Sequence, residues 1–476
     1  MADAFTDMLF AHARLRPGRL ATADPDGALT WSELADAVRE RAAVLPSADD
    51  LVTPVAGLHR TSDSQWVVDF LAMRANGITV VCFPHAVPLT SVLGQAARLS
   101  ASALIREDGK VLPCSGEPAD SAWWSRAALV HLTSGTTGSA LGVPRSEENL
   151  LDEAAGLAAA LELTPSTPVL CATPIAHSFA SGLFLAALSV GAPTLTVPTL
   201  RPLDIVALAQ RYQPHVACGT PHTFRVLLRG GQSQCDVLSR IAVPMVGGAP
   251  LHTELAVQWK KSVGTALVQE FGLSEGGIAT VNLRDADEKP TSVGVPLAGV
   301  EIRVVDPSGK TLGPGSEGSV VIRRRGNPER YLGTADGRRR APVSIPPGHG
   351  EVEAGDIGYM DEQGALFLTG RSKTMINVAG TKVAPRAVES ALMDHPSVRD
   401  ATVLGLPDDR RGELVVAVVE GDPAVVEIEV LATHVRARMN PLLAPRRWLV
   451  LDRLPRTASG KPDLRAIRQL LKESDA

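Results

Sequence analysis

The order in which strand-like and helical segments follow one another constrains the fold of this chain more than any other feature. Up to about residue 370, runs of β-branched and apolar residues, such as 78–83 and 128–132, alternate with amphipathic patterns of helical period, such as 32–45 and 65–76. This alternation is typical of parallel sheets covered by helices. We therefore predict an α/β fold whose large N-terminal domain is built from parallel βα sheets.

The sequence pattern changes twice in the rest of the chain. From residue 300, short alternating strands separated by glycine-rich turns predict antiparallel hairpins, which we interpret as a small β-barrel-like subdomain. The last stretch, about 105 residues, has a hydrophobic pattern of its own and is long enough for a small α+β domain. We predict a large domain over 1–371 and a small, mobile domain over 372–476, joined by a tight hinge.

Composition excludes several classes of protein. The chain has 476 residues, of which 45% are hydrophobic and 21% charged, so it can bury a large core and is not disordered as a whole. A formal net charge of −5 disfavours a nucleic-acid partner. Neither a secretory signal nor a membrane span is visible, because the N-terminus is acidic and the apolar stretch 179–200 is interrupted by Gly, Ser and Pro.

The five cysteines indicate a reducing compartment. Their number is odd and none forms a CxxC pair, so neither a disulfide framework nor a zinc site is expected. We predict a cytoplasmic location.

A loop rich in glycine and hydroxyl side chains directly follows the strand predicted over 128–132. Residues 133–142 read TSGTTGSALG, with three glycines and five hydroxyl side chains whose N–H and O–H groups can surround a phosphate. The loop lacks the GxxxxGK[ST] spacing of a Walker loop, which excludes a P-loop kinase. The alternative for such a segment is an ordinary surface loop.

A second segment, VQEFGLSEGG (268–277), combines side chains suited to a nucleotide. Phe271 could stack on a base, Gly272 permits close approach, and Glu275 is an oxygen ligand of the kind that Mg²⁺ prefers. The alternative is a strand-to-loop transition that ends in an exposed glutamate.

Two later segments contribute charged groups. GDIGYMDEQGALFLTGR (355–371) puts Asp356 and Arg371 at opposite ends of a hairpin, where they could hold ribose hydroxyls or form an ordinary ion pair. LPRTASGKPDLR (454–465) carries Lys461, one of only nine lysines, in a glycine-flanked turn. Such a cation could be carried into a distant site, and the alternative is a solvated basic tail.

In order and spacing, these segments resemble the motifs of the adenylate-forming enzymes: acyl- and aryl-CoA synthetases, peptide-synthetase adenylation domains and beetle luciferases. The resemblance extends from about residue 25 to the end and is most similar in character to stand-alone aryl and acyl acid ligases. Six segments carry it: TSGTTG (133–138), VGGAPL (246–251), EFGLSE (270–275), GDIGYMDEQGALFLTGR (355–371), RSKTMINVAGTKVAPRAVE (371–389) and TASGK (457–461). Each is weak to moderate evidence alone, but six in this order are very specific.

The resemblance implies that ATP is bound by residues of four of these segments. The residues that would hold its β- and γ-phosphates are Thr133, Ser134, Gly135, Thr136, Thr137 and Gly138. Those that would lie around the adenine are Gly247, Gly248, Ala249, Glu270, Phe271 and Gly272. Asp356 and Arg371 would bind the ribose.

The resemblance also implies roles in the reaction itself. Ser274 would contact the α-phosphate and Glu275 would hold Mg²⁺. Lys461 would bridge the substrate carboxylate and the α-phosphate, while Lys373 occupies the family's hinge position. The implied reaction joins a small acid to AMP, releases pyrophosphate and then transfers the acyl group to a thiol.

One departure concerns the phosphate loop. The family normally continues Gly-x-Pro-Lys-Gly, whereas this chain has Ser, Ala and Leu between Gly138 and Gly142. Arg145 would partly supply the missing charge. We therefore expect weaker handling of pyrophosphate rather than an inactive enzyme.

In this family, residues around a Pro-x-x-His stretch line the pocket for the acid; the corresponding stretch here is Pro174 to His177. His177 would lie at the acid pocket, and the alternative is a histidine packed in the core. No acidic residue lies between Glu162 and Asp204, so an α-amino acid is disfavoured and an aryl or short acyl acid is expected. Some relatives in specialised metabolism activate unusual oxyanions, which is a further alternative.

The acceptor would be coenzyme A or the phosphopantetheine of a free-standing carrier protein, because no carrier module follows Lys461 in this sequence. Gly380 and Lys382 resemble the loop that lines the family's pantetheine tunnel. Two alternatives stay open: transfer to a non-thiol acceptor, and a nucleotide-binding homologue that has lost ligation.

Overall fold

The computed structural model describes residues 3–115, 124, 126–132, 141–328, 332, 350–371, 375–378, 381–408, 412–437, 444–457 and 460–474, and of residues 377, 381, 382 and 412 it describes the backbone alone. The predicted phosphate loop 133–138, the hinge residue Lys373 and the tunnel residue Gly380 lie outside the described residues.

Several helices begin at a side chain that caps them. Thr30 and Glu33 form a capping box, and Asp63 accepts the N–H of Trp66 at 2.9 Å. The helices predicted over 32–45 and 65–76 are confirmed, each shifted by one residue. In the described residues the helices are α1 Ala4–Leu15, α2 Trp31–Val44, α3 Ser64–Ala75, α4 Leu89–Arg98, α5 Glu147–Ala160, α6 Ser178–Val190, α7 Pro202–Tyr212, α8 Pro221–Leu227, α9 Gln232–Leu238, α10 Thr253–Val263, α11 Pro385–Met393, α12 Ile428–Arg436 and α13 Leu464–Glu473.

Among the described residues, the strands form three sheets. In chain order they are β1 Leu20–Ala23, β2 Ala28–Thr30, β3 Val55–Arg60, β4 Thr79–Pro84, β5 Ala103–Arg106, β6 Val111–Pro113, β7 Ala127–Leu132, β8 Gly142–Ser146, β9 Val169–Cys171, β10 Thr194–Thr196, β11 Val216–Gly219, β12 Val243–Val246, β13 Val268–Leu273, β14 Gly277–Val281, β15 Ser292–Pro296, β16 Val300–Val305, β17 Gly318–Arg324, β18 Glu351–Met360, β19 Leu366–Arg371, β20 Ile376–Val378, β21 Thr381–Val383, β22 Asp400–Asp408, β23 Gly412–Glu420 and β24 Arg447–Leu451.

The first sheet confirms the predicted parallel architecture. Its strand order is β6-β5-β3-β4-β7-β8, and β5, β3, β4 and β7 are parallel. The edge strands β6 and β8 pair antiparallel with their neighbours. Because helices cover both faces of a parallel sheet, its inner strands are apolar on both sides, as the wholly buried β3 shows.

The largest sheet changes from parallel to antiparallel at β13. Its order is β2-β1-β10-β9-β11-β12-β13-β14-β15-β19-β18-β17-β16, with parallel pairing from β1 to β13 and antiparallel pairing from β13 to β16. The region predicted as a barrel-like subdomain is therefore an antiparallel extension of this sheet. It has a hydrophobic cluster of its own, which includes Val320, Ile322 and Leu366.

Two helices form the centre of the N-terminal core. Between the apolar residues of the two large sheets, α3 and α6 meet through three aromatic rings. Trp66 and Phe70 of α3 are stacked, and Phe184 of α6 contacts both of them edge to face. Both helices are buried on nearly every side, which explains the apolar stretch from residue 179 onward. Within the described ranges, no helix combines the length and the apolar character that a bilayer crossing requires.

The C-terminal strands and helices form the predicted small α+β unit. Its sheet contains β21, β20, β23 and β22, and β24 pairs in parallel with β23. Successive residues of β23 face opposite sides: Val415 packs with α11 and α12, whereas Val416 packs with α13. Helices therefore cover both faces of this sheet.

Candidate active site

The carboxyl ends of the parallel strands β11, β12 and β13 lie side by side in the large sheet. Thr220 follows β11, a turn formed by Gly247 and Gly248 follows β12, and Glu270 lies on β13. In open α/β sheets, ligands bind outside the carboxyl ends of the strands. Two of the predicted segments, 246–251 and 270–275, are thus brought together at the end of the sheet where a ligand is expected.

The loop that carries Lys461 closes over this edge. It is a turn in which the N–H of Thr457 donates to the carbonyl of Lys461 at 2.8 Å, and Gly460 adopts a φ of +78°, which favours glycine. A Cβ atom on Gly248 would lie 3.5 Å from Cε and 3.9 Å from Nζ of Lys461. The structure therefore brings Lys461 from the C-terminal unit to the end of β12.

The charges around Lys461 are mixed. The side chain is accessible to water, yet many protein atoms surround its ammonium group. Partial loss of hydration and the guanidinium of Arg371 lower the pKa of Lys461, and the carboxyl groups of Glu270 and Asp356 oppose this effect. Lys461 therefore lies within electrostatic reach of both the predicted adenine-side residue and the predicted ribose pair.

A cluster of buried ion pairs holds the two units together beside this loop. Arg225 of α8 contacts Asp400 of β22 at 2.8 Å, and Arg456 contacts both Asp400 and, at 3.3 Å, Glu420. Arg456 also donates to the carbonyl of Gly460 at 3.0 Å, next to Lys461. We call Arg225, Asp400, Arg456 and Glu420 the docking cluster. It connects the position of Lys461 to the N-terminal domain.

Asp356 and Arg371 face each other in the register of β18 and β19. The Arg371 Nε donates to Asp356 Oδ1 at 2.9 Å, while the buried Oδ2 of Asp356 has no hydrogen-bond partner among the described residues. Burial raises the pKa of Asp356, and Arg371 opposes this shift. The ion pair that the sequence offered as an alternative is therefore present, and it leaves one carboxyl oxygen for a further donor.

The residues of 270–277 take different positions. Phe271 is buried and packs in the hydrophobic cluster of the antiparallel strands. A Cβ on Gly272 would lie 2.5 Å from the carbonyl oxygen of Gly277, so this glycine is required for the approach of β13 to β14. Ser274 and Glu275 are partly exposed in the turn between these strands, where both are accessible to a ligand.

Glu270 lies against the turn at the end of β12. A Cβ on Gly247 would overlap the Glu270 carboxylate, so only glycine at this position leaves room for that side chain. Burial raises the pKa of Glu270 to about 8; Cys218 adds to the shift, and Lys461 opposes it. Ala249, the third predicted residue of this turn, is partly exposed next to Gly248.

His177 precedes α6 and remains neutral. Burial and the proximity of Lys461 lower its pKa to about 4, and its buried Nε2 has no hydrogen-bond partner among the described residues. His131 is placed behind it, bonded through Nε2 to Ser181 at 2.8 Å. The Nδ1 of His131 is unpaired as well, so an unpaired nitrogen leaves His177 able to bond a ligand but does not by itself distinguish a pocket residue from a core histidine.

A buried network that the sequence did not indicate supports the turn that carries Glu275. Glu153 of α5 accepts the N–H of Ile278 at 2.7 Å, and Arg324 donates to the carbonyls of Gly276 and Ile278. Glu153 is also bonded to Arg145 at 2.9 Å, and both side chains are almost wholly buried. The charge of Arg145 is neutralised by Glu153, which contradicts the expectation that it replaces the missing lysine of the phosphate loop.

Neither this network nor the docking cluster has a local sequence motif. Glu153 lies 125 residues before its partner Ile278 in the chain. These contacts could be detected from sequence only as covariation between distant positions, and a single sequence contains no covariation. Of the predicted tunnel residues, Lys382 lies on β21, where the structure describes its backbone alone.

Comparison with known proteins identifies similar sequences and folds. The profile of the family described as AMP-binding enzyme matches residues 9–332, and that of the AMP-binding enzyme C-terminal domain matches residues 387–461. A long-chain-fatty-acid–CoA ligase of Bacillus subtilis is 29% identical over 340 residues, which cover 70% of this chain and 60% of that ligase. A feruloyl-CoA synthase of an Amycolatopsis species is 28% identical over 371 residues, covering 77% of this chain and 74% of the synthase.

The fold is shared with solved structures. The crystal structure of ATP-bound MatB from Rhodopseudomonas palustris matches with a TM-score of 0.83 and 24% identity, over 99% of both chains. By contrast, the chain spans only 60% and 61% of the length of the long-chain-fatty-acid–CoA ligases of Bacillus subtilis and Escherichia coli O157:H7. The shared architecture therefore extends over the whole chain, while the sequence similarity to these ligases covers part of their length.

Proposed function

Because this chain belongs to the AMP-binding enzyme family, we propose that it activates a small aryl or acyl acid with ATP and transfers the acyl group to a thiol. The observation that carries the proposal is the placement of Lys461 at the Gly247 and Gly248 turn, within electrostatic reach of Asp356. Relatives named as CoA ligases and a feruloyl-CoA synthase favour coenzyme A over a carrier-protein phosphopantetheine as the acceptor.

In the first step a carboxylate oxygen of the acid attacks the α-phosphorus of ATP. The bond from that phosphorus to the oxygen bridging to the β-phosphate breaks, and pyrophosphate leaves. Such a displacement depends on positioned charge. Lys461 would stabilise the charge that develops at the α-phosphate, Ser274 would contact the same group, and Asp356 and Arg371 would hold the ribose.

In the second step the thiol sulfur attacks the acyl carbon and AMP leaves. We propose that residues 372–476 move as a domain about Lys373, so that Lys461 withdraws and the strand that carries Lys382, together with Gly380, faces the site. The ion pairs of the docking cluster would then have to break between the steps.

The magnesium ion would enter with ATP. The Glu275 carboxylate, partly exposed in the turn between β13 and β14, fits this role, because Mg²⁺ usually combines one or two carboxylates with phosphate oxygens and water. When bound, the ion neutralises part of the phosphate charge. In the described residues, no group of three or more His, Cys, Asp or Glu side chains forms a metal site independent of a nucleotide.

Glu275→Gln should lower the adenylation rate about tenfold at limiting Mg²⁺, with recovery at high Mg²⁺, because an amide is a weaker ligand than a carboxylate. The rate would be followed over a magnesium titration. Glu362→Gln, an exposed change at the tip of the β18–β19 hairpin, is the control. An unchanged magnesium dependence would remove Glu275 from the metal site.

The proposed activity is tested by ATP–pyrophosphate exchange with a panel of benzoates, cinnamates and short fatty acids. We expect acid-dependent exchange, and formation of AMP once coenzyme A is added. Hydrolysis of ATP to ADP with no exchange for any acid would overturn the proposal. Binding of ATP with neither exchange nor hydrolysis would overturn it too and would indicate a nucleotide-binding homologue that has lost ligation, the alternative raised by the missing proline and lysine after Gly138.

Arg225→Gln should slow adenylation about tenfold and leave thioester formation from a presynthesised acyl-adenylate unchanged. The variant removes the ion pair between the domains, and a hydrogen bond to a charged group contributes on the order of 1.5–3 kcal/mol. Both half-reactions would be measured under single-turnover conditions. Arg240→Gln, an exposed change just after α9 and outside the docking cluster, is the control. Equal slowing of both steps would contradict a role in docking.

A further inference from the structure

Glu270 has a property that the proposed reaction does not use. It lies on β13 with 5% of its surface exposed, and its buried Oε2 has no hydrogen-bond partner. It forms no ion pair within the part of the chain that the structure describes. The Gly248 backbone donates a hydrogen bond to this carboxyl group, so Oε2 alone is left unpaired. A buried polar atom without a partner is costly, so such atoms are retained where a ligand completes them.

Glu270 lies against the same turn that Lys461 approaches. Its carboxylate occupies the space left by the missing side chain of Gly247, and Lys461 lies against the adjacent Gly248. Glu270 and Lys461 influence each other's pKa, yet they are too far apart for a direct ion pair. A substrate whose carboxylate meets Lys461 would therefore present its neighbouring atoms to Glu270.

We infer that Glu270 recognises an N–H donor on the acid substrate, an amino or ammonium group close to the carboxyl group that is activated. The inference rests on the proposed function, because it takes the acid to be bound at Lys461. It adds a chemical feature that the acid must carry.

The surroundings favour a donor on the substrate. Lys461 is a donor that the substrate carboxylate would occupy, and His177 is neutral. Among the described residues, Glu270 is the acidic residue whose carboxyl group lies against the turn of Gly247 and Gly248 and has an unpaired oxygen. An amino group would pair with it, whereas a methyl group in the same place would leave it buried and unpaired.

The absence of acidic residues from 163–203 disfavours an α-amino acid only as far as that stretch forms the acid pocket. Glu270 reaches the site from another strand, more than 60 residues later in the chain. The competing donor is the exocyclic amine of adenine, since the family resemblance places Glu270 beside the base. The proximity of Lys461 favours the acid, and the experiment separates the two.

The experiment measures binding of non-reactive acyl-sulfamoyl-adenosines by titration calorimetry. Two pairs are compared, 3-aminopropanoyl with butanoyl and 2-aminobenzoyl with 2-methylbenzoyl, so that each pair exchanges an amino for a methyl group. At pH 9, above the pKa of about 8 of Glu270, we expect the wild type to bind at least one amino analogue about 30-fold more tightly than its methyl partner, as a hydrogen bond to a charged group predicts. Glu270→Met should abolish this preference, and Glu270→Gln should retain part of it.

The outcomes distinguish three explanations. Binding of both members of each pair without an amino preference, or a preference that survives in Glu270→Met, would overturn the inference alone. Weaker binding of AMP itself to Glu270→Met, by the same factor as every analogue, would assign Glu270 to adenine and overturn it too. If no analogue binds the wild type and no acid supports exchange, the proposed function fails and the inference with it. Unchanged unfolding midpoints for both variants would exclude misfolding.

Discussion

Lys461→Ala should reduce the rate of acyl-adenylate formation by a factor on the order of 10²–10³, the usual loss when one preorganised charge-stabilising group is removed. The structure supplies the reason. Lys461 is carried to the end of β12 by a loop that its own backbone hydrogen bonds and Arg456 hold in shape. Alanine would keep that loop and remove the charge. Pyrophosphate release from ATP and a saturating acid, measured in a single turnover, gives the rate.

The second half-reaction provides the decisive contrast. Thioester formation from a presynthesised acyl-adenylate and coenzyme A should proceed at a near-normal rate in Lys461→Ala, because the lysine is expected to withdraw before the thiol enters. Lys472→Ala, an exposed change in α13 of the same domain, should affect neither step. If both steps slowed equally in Lys461→Ala, the two-conformation mechanism would not apply to this protein.

Much of the fold could be predicted because local patterns determine it. The alternation of apolar runs and amphipathic periods predicted the parallel sheets, and turn residues predicted the hairpin between β18 and β19. Both are visible in a short stretch of sequence. The joint between the parallel and antiparallel regions was not predicted. At this joint, β13 pairs in parallel with β12 and antiparallel with β14. The sequence of β13 alone does not determine which strands it pairs with or in which direction.

The candidate site also combines residues that local sequence patterns indicate with residues whose partners lie far away in the chain. Lys461, Asp356 and Arg371 were singled out by residue type and motif order, and the structure places them within electrostatic reach of one another. The interpretation of Gly272 was incomplete, because its lack of a side chain is needed by the neighbouring strand. Partners such as Arg225 and Asp400 are 175 residues apart, so no window of sequence contains both.

Arg145 shows why a charge read from sequence is a weak predictor. Three residues after a glycine loop, an arginine is a plausible substitute for a missing lysine. In the structure it lies on β8, turned into the interior, with its charge matched by Glu153 on the following helix. The loss of positive charge at the phosphate loop is therefore not compensated by this residue, and slower pyrophosphate handling remains the expectation.

Glu153→Gln should lower the free energy of unfolding by about 3–5 kcal/mol, the usual cost of leaving one member of a buried ion pair uncompensated. Both Glu153 and Arg145 are at most 1% exposed. Glutamine would keep the acceptor for the N–H of Ile278, so the loss would come from the charge of Arg145 and not from a cavity. Urea-induced unfolding of the intact chain, followed by tryptophan fluorescence, measures the change.

A control position for Glu153 lies on the same helix, α5. Glu148 of α5 pairs with Arg325 at 2.5 Å, but both side chains are more than half exposed, so Glu148→Gln should cost no more than about 1 kcal/mol. Adding Arg145→Met to Glu153→Gln should recover part of the lost stability, since a buried pair replaced as a whole is often nearly neutral. Similar losses for Glu148→Gln and Glu153→Gln would contradict the argument. Glu153 also accepts the N–H of Ile278, three residues after Glu275, and so helps to position that turn. If the double variant were stable but still slow in adenylation, the positioning role of Glu153 would be separated from its contribution to stability.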